Sequence, residues 1–188
     1  MKSLRFLPLL AFSALLAVPA QAEQKLLPAQ SEIVFVSKQM GVPLEGRFRK
    51  FDAQVSFDPA KPESSKIALT VDVASATLGA PETDAELPKA VWFNALQFPQ
   101  ATFQSSTVKA LGGGRFQVTG KLRIKGVSRD VGFPVTLVQT GATTLATGAV
   151  PLQRLAFRIG ENEWADTSMV ADEVQVKFKL ALTGVGKL

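Results

Sequence analysis

The sequence predicts an all-β protein, an antiparallel sandwich or barrel with one short helical insertion. Apolar and polar side chains alternate with a period of two through most of the chain, as in strands that have one dry and one wetter face. Turn residues interrupt these segments at close intervals. One stretch, between residues 83 and 95, carries a helix-start pattern instead.

The N-terminal residues predict export. A positively charged start precedes an apolar run over residues 6–18, and residues 20–22, Ala-Gln-Ala, form a small-residue cleavage pattern. The run is shorter than the roughly 20 apolar residues that cross a bilayer. We therefore predict a signal peptide over residues 1–22 and a single mature domain over residues 23–188.

Six segments of the mature chain carry the alternation, and turns separate most of them. A Pro-rich turn occupies residues 58–62, and glycines lie at residues 112–114 and 126. Pro134 cannot donate a hydrogen bond to a ladder, so it predicts an edge or a bulge. The apolar residues that share one face of each predicted strand are, in order, Ala53, Val55 and Phe57; Ile67, Leu69, Val71 and Val73; Phe116, Val118, Leu122 and Ile124; Val131, Phe133, Val135 and Leu137; Leu155, Phe157 and Ile159; and Val174, Val176, Phe178, Leu180 and Leu182.

The helix-start pattern is the capping-box sequence Thr-Asp-Ala-Glu at residues 83–86. Pro88 follows within the first turn and opposes a single continuous helix, because it lacks an N–H and clashes with the preceding turn. We expect a short, broken helix or turn between about residues 83 and 95.

The composition removes several classes of function. The chain has no Cys and no His, which excludes disulfides, Ser-His-Asp and Cys-His catalysis, and imidazole metal sites. We therefore predict neither an enzyme nor a metal centre. A formal net charge of +5 is too small a surplus to indicate a nucleic-acid partner, and it allows a transient contact with an anionic membrane surface.

Aromatic residues are frequent near strand ends and in the helical insertion. There are 13 Phe in the chain, and both Trp lie in or near such segments. Ordinary core packing and an apolar tunnel both account for them, since about eight strands can close around one small ligand. Periodicity alone does not distinguish a filled barrel from a hollow one.

Several short motifs, in order along the chain, resemble those of the YceI-like family. The opening motifs are S-E-I-V-F at 31–35, E-G-R-F at 45–48, F-D at 51–52 and F-D-P at 57–59. The middle motif is F-P-Q-A-T-F at 98–103, and G-K-L-R-I-K-G-V-S-R at 120–129 resembles a later hairpin. The closing segments are 160–166 and 171–178. Each motif alone is weak, but the ordered set covers nearly the whole mature chain.

The resemblance implies a periplasmic, extended lipocalin-like barrel of about eight strands that binds polyisoprenoid chains, quinone tails or fatty-acid derivatives. It implies no enzyme activity and no cofactor beyond a bound isoprenoid or quinone lipid. Many family members carry His at the positions of Gln39 and Lys125 and near Glu86, so the resemblance leaves the head-group preference of this chain open.

The strand parities, the surplus of aromatic residues and the resemblance together predict which residues contact the ligand. They are Phe35, Phe48, Phe51, Phe57, Leu69, Val71, Val73, Val91, Trp92, Phe93, Phe98, Phe103, Phe116, Val118, Leu122, Ile124, Phe133, Val135, Phe157 and Trp164.

Among the polar residues, Lys121, Arg123 and Lys125 predict a basic stripe on one strand face. A solvated outer face is the favoured interpretation, and a contact with anionic lipid is the alternative. The acidic residues between positions 161 and 173 match no calcium loop, so we expect solvated turns there.

Three hypotheses about function follow. The first is a binding or carrier protein that shelters a long apolar ligand in the periplasm. The second is a filled-barrel interaction or stress-associated module without a lipid ligand. The third, an enzyme, has little support because His, Cys and Tyr are all absent. The oligomeric state, a dimer included, is left open.

Overall fold

The computed structural model describes residues 23–188, so the signal peptide predicted over residues 1–22 lies outside the described residues. Eleven strands form one antiparallel sheet, which confirms the predicted all-β antiparallel barrel. Nine of them have six residues or more, against about eight expected. The strands are β1 (Lys25–Leu26), β2 (Glu32–Gln39), β3 (Val42–Phe48), β4 (Phe51–Ser56), β5 (Lys66–Asp72), β6 (Ala76–Thr77), β7 (Gln100–Gly112), β8 (Arg115–Ile124), β9 (Val127–Thr140), β10 (Thr143–Gln153) and β11 (Glu173–Thr183).

The order of strands across the sheet is β4-β5-β7-β8-β9-β10-β11-β2-β3-β6, with β1 paired to β11. Strand β4 therefore lies at one edge, while β3 lies near the other. The chain passes from β3 to β4 through residues 49 and 50 alone. So short a connection between opposite edges requires the sheet to curl into a barrel, with a seam beside β4.

Backbone hydrogen bonds lead up to this seam from both sides, and a side chain bridges it. Arg49 N–H donates to Ser75 O (3.1 Å), which extends the β3–β6 pairing, and Asp72 N–H donates to Lys50 O (3.0 Å), which extends the β4–β5 pairing. Near the other end of β4, the Gln24 side-chain amide donates to Phe57 O (2.7 Å) and accepts from Phe57 N–H (2.9 Å). That amide satisfies two backbone groups that an edge strand would otherwise leave unpaired.

The insertion between β6 and β7 begins with a four-residue helix, α1 (Pro81–Asp84), and continues mainly as turns to residue 97. This is the short, broken helix predicted near residues 83–95, beginning two residues earlier. The Asp84 carboxylate accepts a hydrogen bond from Thr77 Oγ1 (2.5 Å), and that bond is the largest cause of the lowered pKa of Asp84.

The predicted strand at Leu155, Phe157 and Ile159 is wrong. Residues Arg154–Phe157 form a 3-10 helix, and Arg158 follows with a left-handed φ of 60°. The alternating pattern predicts a strand with a solvated Arg154. The Arg154 side chain is buried instead, and the chain turns inward at this residue. The long segment between β10 and β11 therefore leaves the sheet.

Pro134 lies in β9 next to Val135, where the pairing between β9 and β10 ends. Pro134 thus has no partner on the β10 side, which fits an edge, one of the two predicted alternatives. Its pairing with β8 continues without a register shift, so the other alternative, a bulge, is not at Pro134. The irregularities lie in β7 instead, between Ser105 and Thr107 and between Ala110 and Gly112. Because of the first shift, Phe103 and Val108 both face inward despite their opposite parity.

The apolar parity of the long strands faces the barrel interior. Phe57, Phe103, Phe116, Phe133 and Val150 belong to one buried cluster inside the barrel. A second cluster, formed around Phe35, Ala76 and Leu87, packs beneath the insertion. No helix within residues 23–188 is long and apolar enough to cross a membrane.

Candidate ligand-binding cavity

The barrel is hollow. It encloses an apolar cavity of about 260 Å³, whereas roughly 10–15 Å³ of such space holds one water molecule. The side chains of Leu69, Leu122 and Phe178 face the inside of the barrel. They are nevertheless partly exposed, because they border this cavity. Native cores contain few voids larger than a water molecule, so the space exceeds a packing defect.

Most of the residues predicted to contact a ligand lie on the cavity wall. They are Phe35, Phe48, Phe57, Leu69, Val71, Trp92, Phe93, Phe103, Phe116, Val118, Leu122, Ile124, Phe133, Val135 and Phe157. Strand parity brings them together, because one face of each long strand points into the barrel.

Five of the predicted contact residues do not line the cavity: Phe51, Val73, Val91, Phe98 and Trp164. Val73 is buried, and its N–H donates to Pro99 O (3.0 Å). The carbonyl of Val91 accepts from the N–H groups of Gly160 and Glu161. Trp164 packs on Trp92, which does line the cavity, with ring centroids 5.3 Å apart. Trp164 therefore supports a wall residue without lining the cavity itself.

The cavity wall also contains residues outside the predicted site. The whole inward face of β11 lines the cavity, whereas its alternation predicts only a strand face. Ser37, Thr144 and Arg154 contribute polar groups to the wall, and nothing in the alternating pattern marks them as wall residues. These additional wall residues include Ile33, Ser37, Leu87, Thr144, Arg154, Val174, Val176, Phe178, Leu180 and Leu182.

Inward-facing glycines allow phenylalanine rings to lie flat against the wall. The Phe35 ring covers Gly46, its partner across β2 and β3, and the Phe178 ring covers Gly148, its partner across β10 and β11. A Cβ at Gly46 would lie within 2.8 Å of three Phe35 ring atoms. Glycine under an aromatic ring keeps the ring beside the strand, and so keeps it out of the cavity centre.

Two segments cover one end of the barrel, and we call them the cap: residues 78–98 and 154–172. The N–H groups of Gly160 and Glu161 both donate to Val91 O, at 2.8 and 3.0 Å. The tilted pair of Trp92 and Trp164 rings joins the same two segments. These contacts join the two cap segments to each other above the cavity.

Arg154 holds the second cap segment in place and is 3% exposed. Its guanidinium donates to five backbone carbonyls, those of Ala171, Ile159, Gly160, Trp164 and Val170, at 2.6 to 3.0 Å. An arginine side chain has five N–H donors, so none remains for another partner. Burial lowers the pKa of Arg154, and the Asp172 carboxylate partly opposes this effect.

Lys125 departs from the predicted basic stripe. Its side chain is 4% exposed, and its Nζ donates to Arg158 O (2.7 Å) and to Glu161 Oε2 (2.8 Å). The left-handed φ of 47° at Lys125 turns this side chain away from the face that carries Lys121 and Arg123, which are exposed. The hydrogen bonds from Lys125 and Arg158 lower the pKa of Glu161.

The C-terminal residues 184–188, which we call the tail, cover the other end of the barrel. Val185 lines the cavity, and Gln139 Nε2 donates to the carbonyls of Val185 and Gly186, both at 3.2 Å. The two N–H groups of Gln139 Nε2 are shared with a third acceptor, Thr144 Oγ1 (3.3 Å), so the hydroxyl of the fully buried Thr144 has a partner. The cavity thus extends between the cap and the tail.

Few polar side chains face the cavity in the described part of the chain. Residues 23–188 contain no group of three or more Asp or Glu side chains placed to hold a metal ion. Arg154 is the charged residue on the cavity wall, and the remaining polar wall residues are Ser37 and Thr144. Such a wall can exclude water and contact hydrocarbon.

A hollow antiparallel barrel with an apolar interior is the architecture of small-ligand-binding β-barrels. The model of the YceI-like domain matches residues 25–182, nearly all of the described chain. The protein therefore belongs to the YceI-like family, as the ordered motifs indicated.

Individual relatives agree with this assignment. A UPF0312 protein of Ectopseudomonas mendocina (strain ymp) is 33% identical over 133 residues, which cover 69% of this chain and 70% of the relative. The crystal structure of BcnA from Burkholderia cenocepacia superposes with a TM-score of 0.81 at 49% identity, covering 84% of this chain and 99% of BcnA. A polyisoprenoid binding domain from Saccharophagus degradans, implicated in plant cell wall breakdown, shares the fold at 15% identity, with a TM-score of 0.68 and coverage of 86% and 98%.

Proposed function

We propose that this protein binds a long-chain apolar molecule inside the barrel and carries or shelters it in the periplasm. The ligand class is a polyisoprenoid, a quinone tail or a fatty-acid derivative. The observation that carries the proposal is the apolar cavity that extends from the cap to the tail. Support also comes from the fold shared with the polyisoprenoid binding domain of Saccharophagus degradans. Binding and release are the proposed activity, with no covalent step.

The energetics of burial are compatible with such a ligand. Each buried methylene contributes roughly 0.8 kcal/mol, so about 20 of them supply on the order of 16 kcal/mol before costs. Association costs roughly 4–15 kcal/mol. The net affinity therefore depends on how completely the chain fills the cavity, and a long flexible hydrocarbon fills it better than a short one.

The direct test is mass spectrometry of an organic extract from protein purified without detergent. We expect a long-chain hydrocarbon or isoprenoid lipid that is absent from a mock preparation. Delipidated protein should also take up an added isoprenoid quinone. An empty extract together with no uptake would favour the alternative of an interaction or stress-associated module without a lipid ligand.

Export is the second part of the proposal. Removal of residues 1–22 would leave a periplasmic domain that begins at Glu23. N-terminal sequencing of the periplasmic fraction tests this directly. Retention of Met1 in a membrane fraction would contradict it.

We also propose that the ligand is exchanged during transient contact with a membrane at the cap end. Met40, Val42 and Met169 are exposed apolar residues there, and Met40 N–H donates to Met169 O (2.8 Å). Val170, next to Met169, lines the cavity. Replacement of Met40 and Met169 by Asp should slow lipid transfer from vesicles without changing the affinity for a ligand added from solution. Unchanged transfer would count against this route.

A further inference from the structure

One buried side-chain oxygen in residues 23–188, Ser37 Oγ, has no hydrogen-bond partner. Ser37 shares the inward parity of Ile33 and Phe35 on β2, and it lies on the cavity wall. Thr144, the other wall hydroxyl, differs because it pairs with Gln139. Buried polar groups in folded proteins are generally hydrogen-bonded, so an unpaired hydroxyl that faces a binding cavity requires an explanation.

Ser37 lies at the cap end of the cavity. Its neighbour Lys38 accepts a hydrogen bond at its carbonyl from Ala171 N–H (2.9 Å), and Gln39 forms a bridge with Val170. Both Val170 and Ala171 belong to the cap segment that Arg154 holds. The inward residues of β2 thus run from Ile33, through Phe35, to Ser37 beneath the cap.

The two buried cations near this end, Arg154 and Lys125, are already occupied. All five donors of Arg154 bind backbone carbonyls, and Lys125 Nζ binds Arg158 O and Glu161. An anionic head group would have to displace those partners to gain a cation. A neutral oxygen would need just one donor or acceptor, which the hydroxyl of Ser37 provides.

We infer that Ser37 Oγ hydrogen-bonds a neutral oxygen, a hydroxyl, carbonyl or ether, at one end of the apolar ligand. The ligand therefore has its polar end beneath the cap and its hydrocarbon chain directed toward Thr144 and Val185. The site selects neutral head groups over phosphate or carboxylate. This inference rests on the proposed lipid-binding function and specifies the chemical class of the ligand.

The test compares three probes with the same chain: geranylgeraniol, geranylgeranyl monophosphate and the matched hydrocarbon without a head group. Affinities are measured on delipidated protein for the wild type and for Ser37→Ala. A net hydrogen bond of about 1 kcal/mol corresponds to roughly a fivefold change in affinity. We expect Ser37→Ala to weaken the alcohol about fivefold and to leave the hydrocarbon within about twofold. The wild type should bind the monophosphate on the order of tenfold more weakly than the alcohol, because a buried anion without a free cation is disfavoured.

Two further variants serve as controls. Ser37→Thr keeps the hydroxyl and should keep the wild-type difference between alcohol and hydrocarbon. Thr144→Val removes a wall hydroxyl that already has a partner, at the tail end, and should not discriminate between the probes. Binding of the hydrocarbon by each variant reports that the cavity has formed.

The outcomes separate the inference from the proposed function. An equal loss of alcohol and hydrocarbon in Ser37→Ala would assign Ser37 to packing and overturn the inference. No loss for either probe would mean that water satisfies the hydroxyl, which also overturns it. Tighter binding of the monophosphate than of the alcohol would overturn the neutral head group. In all three cases the proposed function stands, whereas failure of the wild type to bind any probe would overturn both.

Discussion

Single residues determine how much of the barrel interior stays open. The rings of Phe35, Phe103 and Phe178 lie over Gly46, Gly120 and Gly148, where any side chain would meet ring atoms within 3 Å. Large aromatic residues usually fill a core. Here glycine allows the same residues to form part of a wall instead.

Gly46→Ala tests this arrangement. The new methyl group occupies the position of the Phe35 ring, so we expect the ring to rotate into the cavity. Uptake of a long-chain lipid should fall severalfold, while the unfolding free energy falls by less than the roughly 1–3 kcal/mol typical of overpacking, because the cavity accepts the displaced ring. Lipid titration and thermal melting of delipidated protein measure the two effects.

The matched control for this substitution is Gly132→Ala. Gly132 lies in β9 and is exposed, and an added Cβ there would meet the Thr119 and Gln117 side chains instead of a ring. That variant should keep both uptake and stability. Equal uptake by Gly46→Ala and Gly132→Ala would show that the position of the Phe35 ring does not limit the cavity.

Arg154 is the residue on which the cap depends most. We expect Arg154→Lys to destabilise the protein by about 3 kcal/mol or more. Lysine has three donors at one point, whereas arginine spreads five over a planar fork, so at least two of the five carbonyls lose their partners. Denaturant unfolding measures the change. A loss below about 0.5 kcal/mol, the range of ordinary surface substitutions, would contradict this role.

At the scale of elements, sequence predicts the strands and the short helix of the cap, but not the cap segment 154–172, for physical reasons. A strand such as β8 turns Phe116, Val118, Leu122 and Ile124 toward the interior on one face, and such a one-sided arrangement is what produces the period of two. The residues of the cavity wall could be predicted for the same reason, because the apolar side of each strand faces inward in a hollow barrel and in a filled one.

The cap lacks such periodicity. Its segment 154–172 is organised by the donors of Arg154, and those contacts reach up to 17 residues along the chain. An alternating sequence at residues 154–159 resembles a strand, but nothing local reveals that its polar member is buried. Lys125 shows the same limit, since its ion pair with Glu161 spans 36 residues.

The ion pair between Lys125 and Glu161 should make cap stability depend on pH. The folded-state pKa of Glu161 is lowered, chiefly by the hydrogen bond from Lys125, so the ionised carboxylate stabilises the folded form. This contribution is fully present above the unfolded-state pKa, near 4.3, and is lost as the pH falls through the lower folded-state value. Acidification should therefore loosen the contact between the β8–β9 turn and the cap.

Glu161→Gln measures this contribution. Lys125 is almost fully buried, but Glu161 is 33% exposed, so solvent screens the pair and we expect a loss of about 1–3 kcal/mol at neutral pH. The difference from the wild type should shrink below about pH 4. Fluorescence of Trp92 and Trp164 during unfolding reports on the cap directly. A difference that is independent of pH would exclude the ion pair as its cause.

At the scale of the whole molecule, Val71→Phe tests whether the interior of the barrel holds a ligand. Val71 is buried on β5 and lines the cavity. In a hollow barrel that binds lipid, the larger ring would project into ligand space, so uptake should fall while the melting temperature of the ligand-free protein changes little. In a filled barrel the same ring would overpack a dense core and cost about 1–3 kcal/mol.

The comparison requires delipidated samples, because a bound ligand raises the apparent stability by mass action. Arg123→Ala is the control, since Arg123 lies on the exposed face of β8 and its loss should leave both uptake and melting unchanged. A lower melting temperature for Val71→Phe with unaltered uptake would show that the ligand does not occupy this part of the barrel. Lost uptake by Val71→Phe with an unchanged melting temperature, together with normal uptake by Arg123→Ala, would establish that the cavity between the cap and the tail is the ligand site.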